Sequence, residues 1–204
     1  MRMIPSLVTA LAFTASIAAL PGISLAKHGG IGPVVVTKTQ IEAELAPCCG
    51  APDPLEPGAE GEAERKTKSR NGVVGDDRFK AKVEIPVPSA LGIVDLATAL
   101  AADVRLLLSR SDSTLYAECM LVLTEIETEL EDGVWETQAE YKVDVRRMLK
   151  RGVMVPKAVH GSCVDQTGTG TGLLHGVPDV RDGDLVLVSV DGTSILNGAF
   201  AVAD

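Results

Sequence analysis

Apolar and polar residues alternate along three stretches of the chain. Phe79, Ala81, Val83, Ile85 and Val87 alternate with Arg78, Lys80, Lys82 and Glu84, the pattern of a half-buried strand. Thr37, Thr39, Ile41, Ala43 and Leu45 alternate in the same way with Lys38, Gln40, Glu42 and Glu44. So do Trp135, Thr137, Ala139, Tyr141, Val143 and Val145 with Glu136, Gln138, Glu140, Lys142 and Asp144. One apolar face and one polar face favour antiparallel sheets, which can leave a side in water.

Turn chemistry places the hairpins. Asp191-Gly192, between "DLVLVSV" and "TSILNGAF", predicts a two-residue hairpin loop. A further pairing turns around Asn71-Gly72, and centring it near Gly72 sets Glu64 opposite Lys80, Glu62 opposite Lys82 and Ala63 opposite Ala81. The basic residues Arg65, Lys66, Lys68 and Arg70 then read as a solvated strand end. At Glu131-Asp132-Gly133 a two-residue loop would set Leu123 against Lys142 and mix core with surface. A three-residue loop instead opposes Leu123 to Tyr141, Leu121 to Val143 and Cys119 to Val145, and that register is expected. It leaves Glu125, Glu127 and Glu129 on the side of Trp135 and Ala139, so the tip either projects beyond the core or carries a bulge near Thr124.

Elsewhere the period of two is broken. "APDPLEPG", near 51–58, is too rich in proline for a central strand. Pro86 and Pro88 end the strand before them, and Leu96, Ala99 and Leu100 have helical spacing behind Asp95, giving one short helix. "QTGTGTG" is a flexible loop whose glycines do not complete G-x-G-x-x-G. The expected fold is all-β: an antiparallel β-sandwich of seven to ten strands with at most one short helix. Its expected core is Ile41, Phe79, Val83, Ile85, Val104, Leu106, Leu121, Trp135, Tyr141, Val143, Val186, Val188, Ile195 and Phe200. In strand count and turn spacing this resembles immunoglobulin-like architecture, but Trp135 does not follow the Cys–Trp–Cys order, and no family is implied.

The N-terminus changes the picture by setting a compartment. Arg2, an apolar run from Met3 to Leu20, the breakers Pro21 and Gly22, and Ser24-Leu25-Ala26 have the layout of a secretory signal peptide over residues 1–26. Residues 27–204 are then a single secreted or periplasmic domain, and no later stretch is apolar enough to span a bilayer. Loss of Arg2 would take the formal charge from −9 to −10. An acidic chain repels phosphate backbones, so nucleic acid is not an expected partner. With one Trp, two Tyr and three Phe, the chain has no platform for stacking bases.

Four cysteines remain to be placed: Cys48, Cys49, Cys119 and Cys163. Adjacent Cα atoms lie about 3.8 Å apart, short of the ordinary disulfide span. Cys48 or Cys49 is therefore expected to bridge Cys119, and the other one Cys163, in an oxidising compartment. The weak candidates for metal are His160, Cys163 and His175. Their spacing fits neither a zinc knuckle nor a blue-copper loop. The alternating glutamates at 125–129 lack a calcium-loop motif and read as a solvated acidic tip.

No catalytic residue and no cofactor-binding residue is indicated, and no cofactor is expected. The expected function is that of a non-enzymatic exported β-domain, a binding or structural protein whose partner is another protein or the cell-envelope surface. The alternative is a metal-binding protein or hydrolase using Cys163, His160 and His175, with Asp165 or Asp179 orienting an imidazole. A third reading has an exposed edge strand accepting a strand from a neighbour.

Overall fold

The structure, a computed structural model, describes residues 34–48, 59–89, 91–131, 134–174 and 176–203. The expected leader at 1–26, the proline-rich stretch at 51–58, Cys49 and His175 lie outside the described residues. Fourteen strands follow one another: β1 (Val36–Pro47), β2 (Glu60–Arg70), β3 (Val73–Pro86), β4 (Val104–Ser109), β5 (Leu115–Met120), β6 (Val122–Glu131) and β7 (Val134–Lys150). They continue with β8 (Val153–His160), β9 (Ser162–Asp165), β10 (Leu173–Leu174), β11 (Val177–Pro178), β12 (Leu185–Val190), β13 (Thr193–Ala199) and β14 (Ala201–Val202). Among the described residues there is one helix, α1 (Leu96–Ala101), between β3 and β4.

The all-β antiparallel fold and the single short helix are as expected. Asp95 caps α1: its carboxylate accepts from the Thr98 amide at 2.8 Å, while the Thr98 hydroxyl accepts from the Asp95 amide at 3.0 Å, a reciprocal capping pair. A sandwich of two separate sheets is not confirmed. Twelve of the strands run in one hydrogen-bonded order, β6-β7-β3-β2-β1-β13-β12-β4-β5-β9, with β14 on β1 and β8 on β7, and β10 and β11 pair separately as a two-stranded sheet. The sheet curls into a half-barrel around its core. β1 joins the two halves, pairing with β2 over residues 36–45 and with β13 at Ala46 and Pro47.

The turns explain much of the register. Asn71-Gly72 and Asp191-Gly192 are two-residue loops with positive φ at both positions (50° and 76°, 48° and 82°), which matches the twist of the strands they join. Glu64–Lys80, Glu62–Lys82 and Ala63–Ala81 are opposed as expected. The expected three-residue loop after β6 is corrected. Glu131 opposes Val134, leaving two residues between the strands, and a register shift between Leu123 and Glu125 then restores Leu123 to Tyr141. The bulge near Thr124, one of the two expected outcomes, absorbs the extra residue and turns Glu125, Glu127 and Glu129 away from the side of Trp135 and Ala139. Leu121 and Cys119 do not continue this ladder, because β5 leaves to pair with β4 and β9.

Phe79, Val83, Ile85, Val104, Leu106, Leu121, Tyr141, Val143, Val186, Val188, Ile195 and Phe200 are all buried. Ile41 packs half-buried against them. Trp135 does not belong to this core: it is 69% exposed, since its strand runs on past the core after the alternation has begun.

Gly161 sits where three strands meet. It turns β8 into β9 with φ +60°, and a Cβ there would lie 2.3 Å from the Met120 carbonyl oxygen and 3.3 Å from that of Lys142. Only glycine meets both the angle and the close approach.

Candidate functional site

The register of β2, β3, β7 and the strands beside them sorts the charges of the solvent-facing side into rows. Glu60, Glu84, Glu140 and Glu125 stand opposite one another in turn. Two rows further along the strands come Glu64, Lys80, Asp144 and His160, and beyond those Lys66, Arg78, Arg146 and Lys157. One end of this face is therefore acidic and the other basic.

Like charges directly opposite one another are destabilising, so each row is held by bonds to the next. Lys82 Nζ lies 2.5 Å from Glu84 and 3.2 Å from Glu140, and Lys142 Nζ lies 2.5 Å from Glu140. Burial works to raise the Glu140 carboxyl, but Lys142, Thr124 and Lys82 bond to its ionised form and take it down to about 2. Arg78 donates through Nε to Asp144 at 2.8 Å, and Arg146 donates to Asp76 at 2.8 and 2.6 Å. At the acidic end Glu127 has no such partner. Its carboxyl is pushed above the ordinary range, first by Glu125 and then by its slight burial and by Glu129. Glu60, Glu84, Glu127, Glu129 and Glu136 line a cleft there of about 320 Å³.

The inward side of the same strands holds a second set of charges. Asp77 is fully buried and accepts two hydrogen bonds from Arg65, both at 3.0 Å, with Arg147 Nη2 at 2.8 Å. Arg65 also reaches Asp179 at 2.9 Å and the Val180 carbonyl at 2.9 Å. Arg110 bonds Asp184 at 2.7 Å and lies 4.0 Å over the Tyr116 ring. These pairs tie β2, β3 and β7 to the loop between β11 and β12. Two buried atoms in or beside the cluster, Tyr116 Oη and Arg147 Nε, have no hydrogen-bond partner within bonding geometry among the described residues. Burial and the nearby Asp184 push the Tyr116 phenol well above its ordinary value.

The residues singled out from sequence do not converge. Cys163 is bonded to Cys119, with S–S 2.02 Å and Cα–Cα 4.0 Å, so its sulfur is neither a thiolate nucleophile nor a metal ligand in this form. The expected bridge from Cys48 or Cys49 to Cys119 is thereby corrected. Antiparallel β5 and β9 set Cys119 directly opposite Cys163, a neighbourhood that only the tertiary pairing creates. Cys48 is itself disulfide-bonded. His160 is exposed at the end of β8, opposite Asp144.

Asp165 is engaged in shaping its own loop. It accepts from the amide and hydroxyl of Thr167 at 2.8 and 2.6 Å and from the amides of Gly172 and Leu173. Asp179 is held by Arg65 and Arg181. Neither carboxylate bonds an imidazole among the described residues. No group of three His, Cys, Asp or Glu side chains is arranged to hold a metal ion among the described residues.

Sequence reasoning missed Arg65, Asp77, Arg147 and Asp184 as buried charges. A signal was present, since Arg65 and Asp77 share the strand parity of the core residue Phe79. The chain matches no known protein family, no curated protein and no solved structure.

Proposed function

We propose that this chain is an exported, non-enzymatic β-domain that works by binding another protein or the cell-envelope surface. The observation that carries the reading is the solvent-facing sheet, whose charges are segregated into an acidic and a basic end with exposed apolar side chains beside them. Val153 and Val155, 64% and 39% exposed, stand on that side at its basic end, whereas Leu130 and Trp135, 58% and 69% exposed, extend the core-facing side past the end of the core. Export is supported by the leader-like residues 1–26 and by the pairing of Cys119 with Cys163.

The test has two arms. Expressed with its own first 26 residues, the protein recovered outside the cytoplasm is expected to begin at Lys27 and to take up no alkylating reagent until it is reduced. A reduced, uncleaved product confined to the cytosol overturns export. In the second arm the purified protein is sedimented with envelope vesicles of its host. It is expected to travel with them at physiological salt and to be released at about 1 M, where the screening length falls to about 3 Å. No sedimentation at any salt overturns binding to the envelope.

A further inference from the structure

β7 has two edges. β3 occupies one over residues 138–148, so β6 (along 134–142) and β8 (along 144–150) share the other. Both run antiparallel to β7, hence in the same direction, one beyond the other. β6 ends the sheet order and β8 pairs with β7 alone, which leaves the outer edges of both unpaired among the described residues. Unpaired edges invite another strand.

The two halves of this edge are opposite in charge. The ten residues of β6 include glutamates at 125, 127, 129 and 131 and no cation, whereas the eight of β8 include Lys157 and no acid, and follow Lys150 and Arg151. Glu125 and Lys157 stand in the rows of the same solvent-facing side. Val153 and Val155, 64% and 39% exposed, accompany Lys157 on its side of β8, while Leu130, 58% exposed, lies on the other side of β6 from the glutamates.

We infer that the occupant of this edge is a second copy of the chain, placed by a two-fold axis through the sheet near Val143, so that β6 of each copy lies along β8 of the other. That rotation reverses the direction of the second edge, which makes both new strand pairs antiparallel. It keeps the solvent-facing sides together and sets glutamates beside Lys157 twice. The interface closes on itself, as in most soluble dimers, and extends the sheet across both molecules. Pro156 withholds one amide from the edge of β8, so the edge is not open to every strand. The inference rests on the binding reading above and supplies a partner for it; export does not enter.

The test is sedimentation velocity on the full chain over a hundredfold concentration range, beside the fluorescence of Trp135. This is the chain's single tryptophan and lies on β7 beside Leu130 of β6, one strand in from the edge that the second copy would extend. Dimers are expected, with emission moving to the blue as they form. Glu127→Lys and Lys157→Glu, both at exposed positions, are each expected to raise the dimer dissociation constant at least tenfold. Combined in one chain, they are expected to restore it to within threefold of the unaltered protein, with all three variants melting alike. A monomer at every concentration, open-ended oligomers, or a dimer indifferent to both reversals overturns the inference. Envelope sedimentation of the same preparations separates the two readings. A chain that never dimerises yet still sediments overturns only the dimer, and a dimer that binds no envelope overturns only the envelope.

Discussion

Asp76 and Asp77 are neighbours on β3, and each meets an arginine from the neighbouring pair Arg146 and Arg147 on β7. They nevertheless occupy different worlds. Asp76 points to water with a side chain 33% exposed, and its partner Arg146 is 35% exposed. Asp77 points into the interior at 0%, against Arg147 at 4% and Arg65 at 10%. One step along a strand changes the face and little else, so the pairs isolate what burial does to an ion pair. In water the attraction is weak and screened, and holding two long side chains opposes it. In the interior both charges have lost their hydration, and each depends on the other being present.

The difference is open to measurement. Asp77→Asn takes from buried Arg147 the anion it pairs with and leaves Arg65 with Asp179 alone, and is expected to cost about 3–5 kcal/mol in urea unfolding. A loss under about 1 kcal/mol would erase the distinction. Acid probes both faces together. Glu140, Asp144 and Asp179 all titrate below their ordinary values: burial pushes each up, but Lys142 with Thr124 and Lys82, Arg78, and Arg181 with Arg65, respectively, pull them further down. A lowered folded-state value means that stability is fully present above the unfolded value and is lost as pH falls towards the folded one. For Glu140 that window runs from about 4.5 to about 2. Midpoints measured across it are expected to fall steadily, and less steeply in Glu140→Gln.

A smaller effect should have the opposite sign. Tyr116→Phe deletes a buried hydroxyl with no partner within bonding geometry among the described residues and is expected to gain about 1 kcal/mol, with a destabilised variant refuting that account. Asp76→Asn closes the series with an expected loss of about 0–1 kcal/mol, diminishing further as salt is added.

Local chemistry carried most of the legible information. Asn71-Gly72 placed the β2–β3 hairpin and the alternating charges gave its register, Glu64 to Lys80; a shift between Lys68 and Ser69 reconciles that register with a two-residue turn that closes at Arg70 and Val73. The β6–β7 hairpin shows the limit of that logic. Turn and core made conflicting demands, and a bulge at Thr124 satisfied both; the parity of Glu125, Glu127 and Glu129 marked its place, but not that it would come with a two-residue turn. Arg65 read as solvated because its neighbours Lys66, Lys68 and Arg70 are cations; only its opposition to Phe79 marks it as facing inward. Trp135 kept the parity of the core but lies beyond its end. The partner of Cys119 was beyond reach for a different reason: β5 and β9 become neighbours only after the sheet has curled, and no short-range pattern encodes that.

The seam along β1 has a consequence for how the molecule comes into being. Its residues Ile41, Glu42, Ala46 and Pro47 bond to partners between Leu196 and Val202, so the ladder joining the halves waits for the last strands to arrive. Contacts of such sequence separation are slow to form. Until β13 and β14 are delivered, the local hairpins have their partners but the seam along β1 has none from the other half, so joining the halves is the late step of folding.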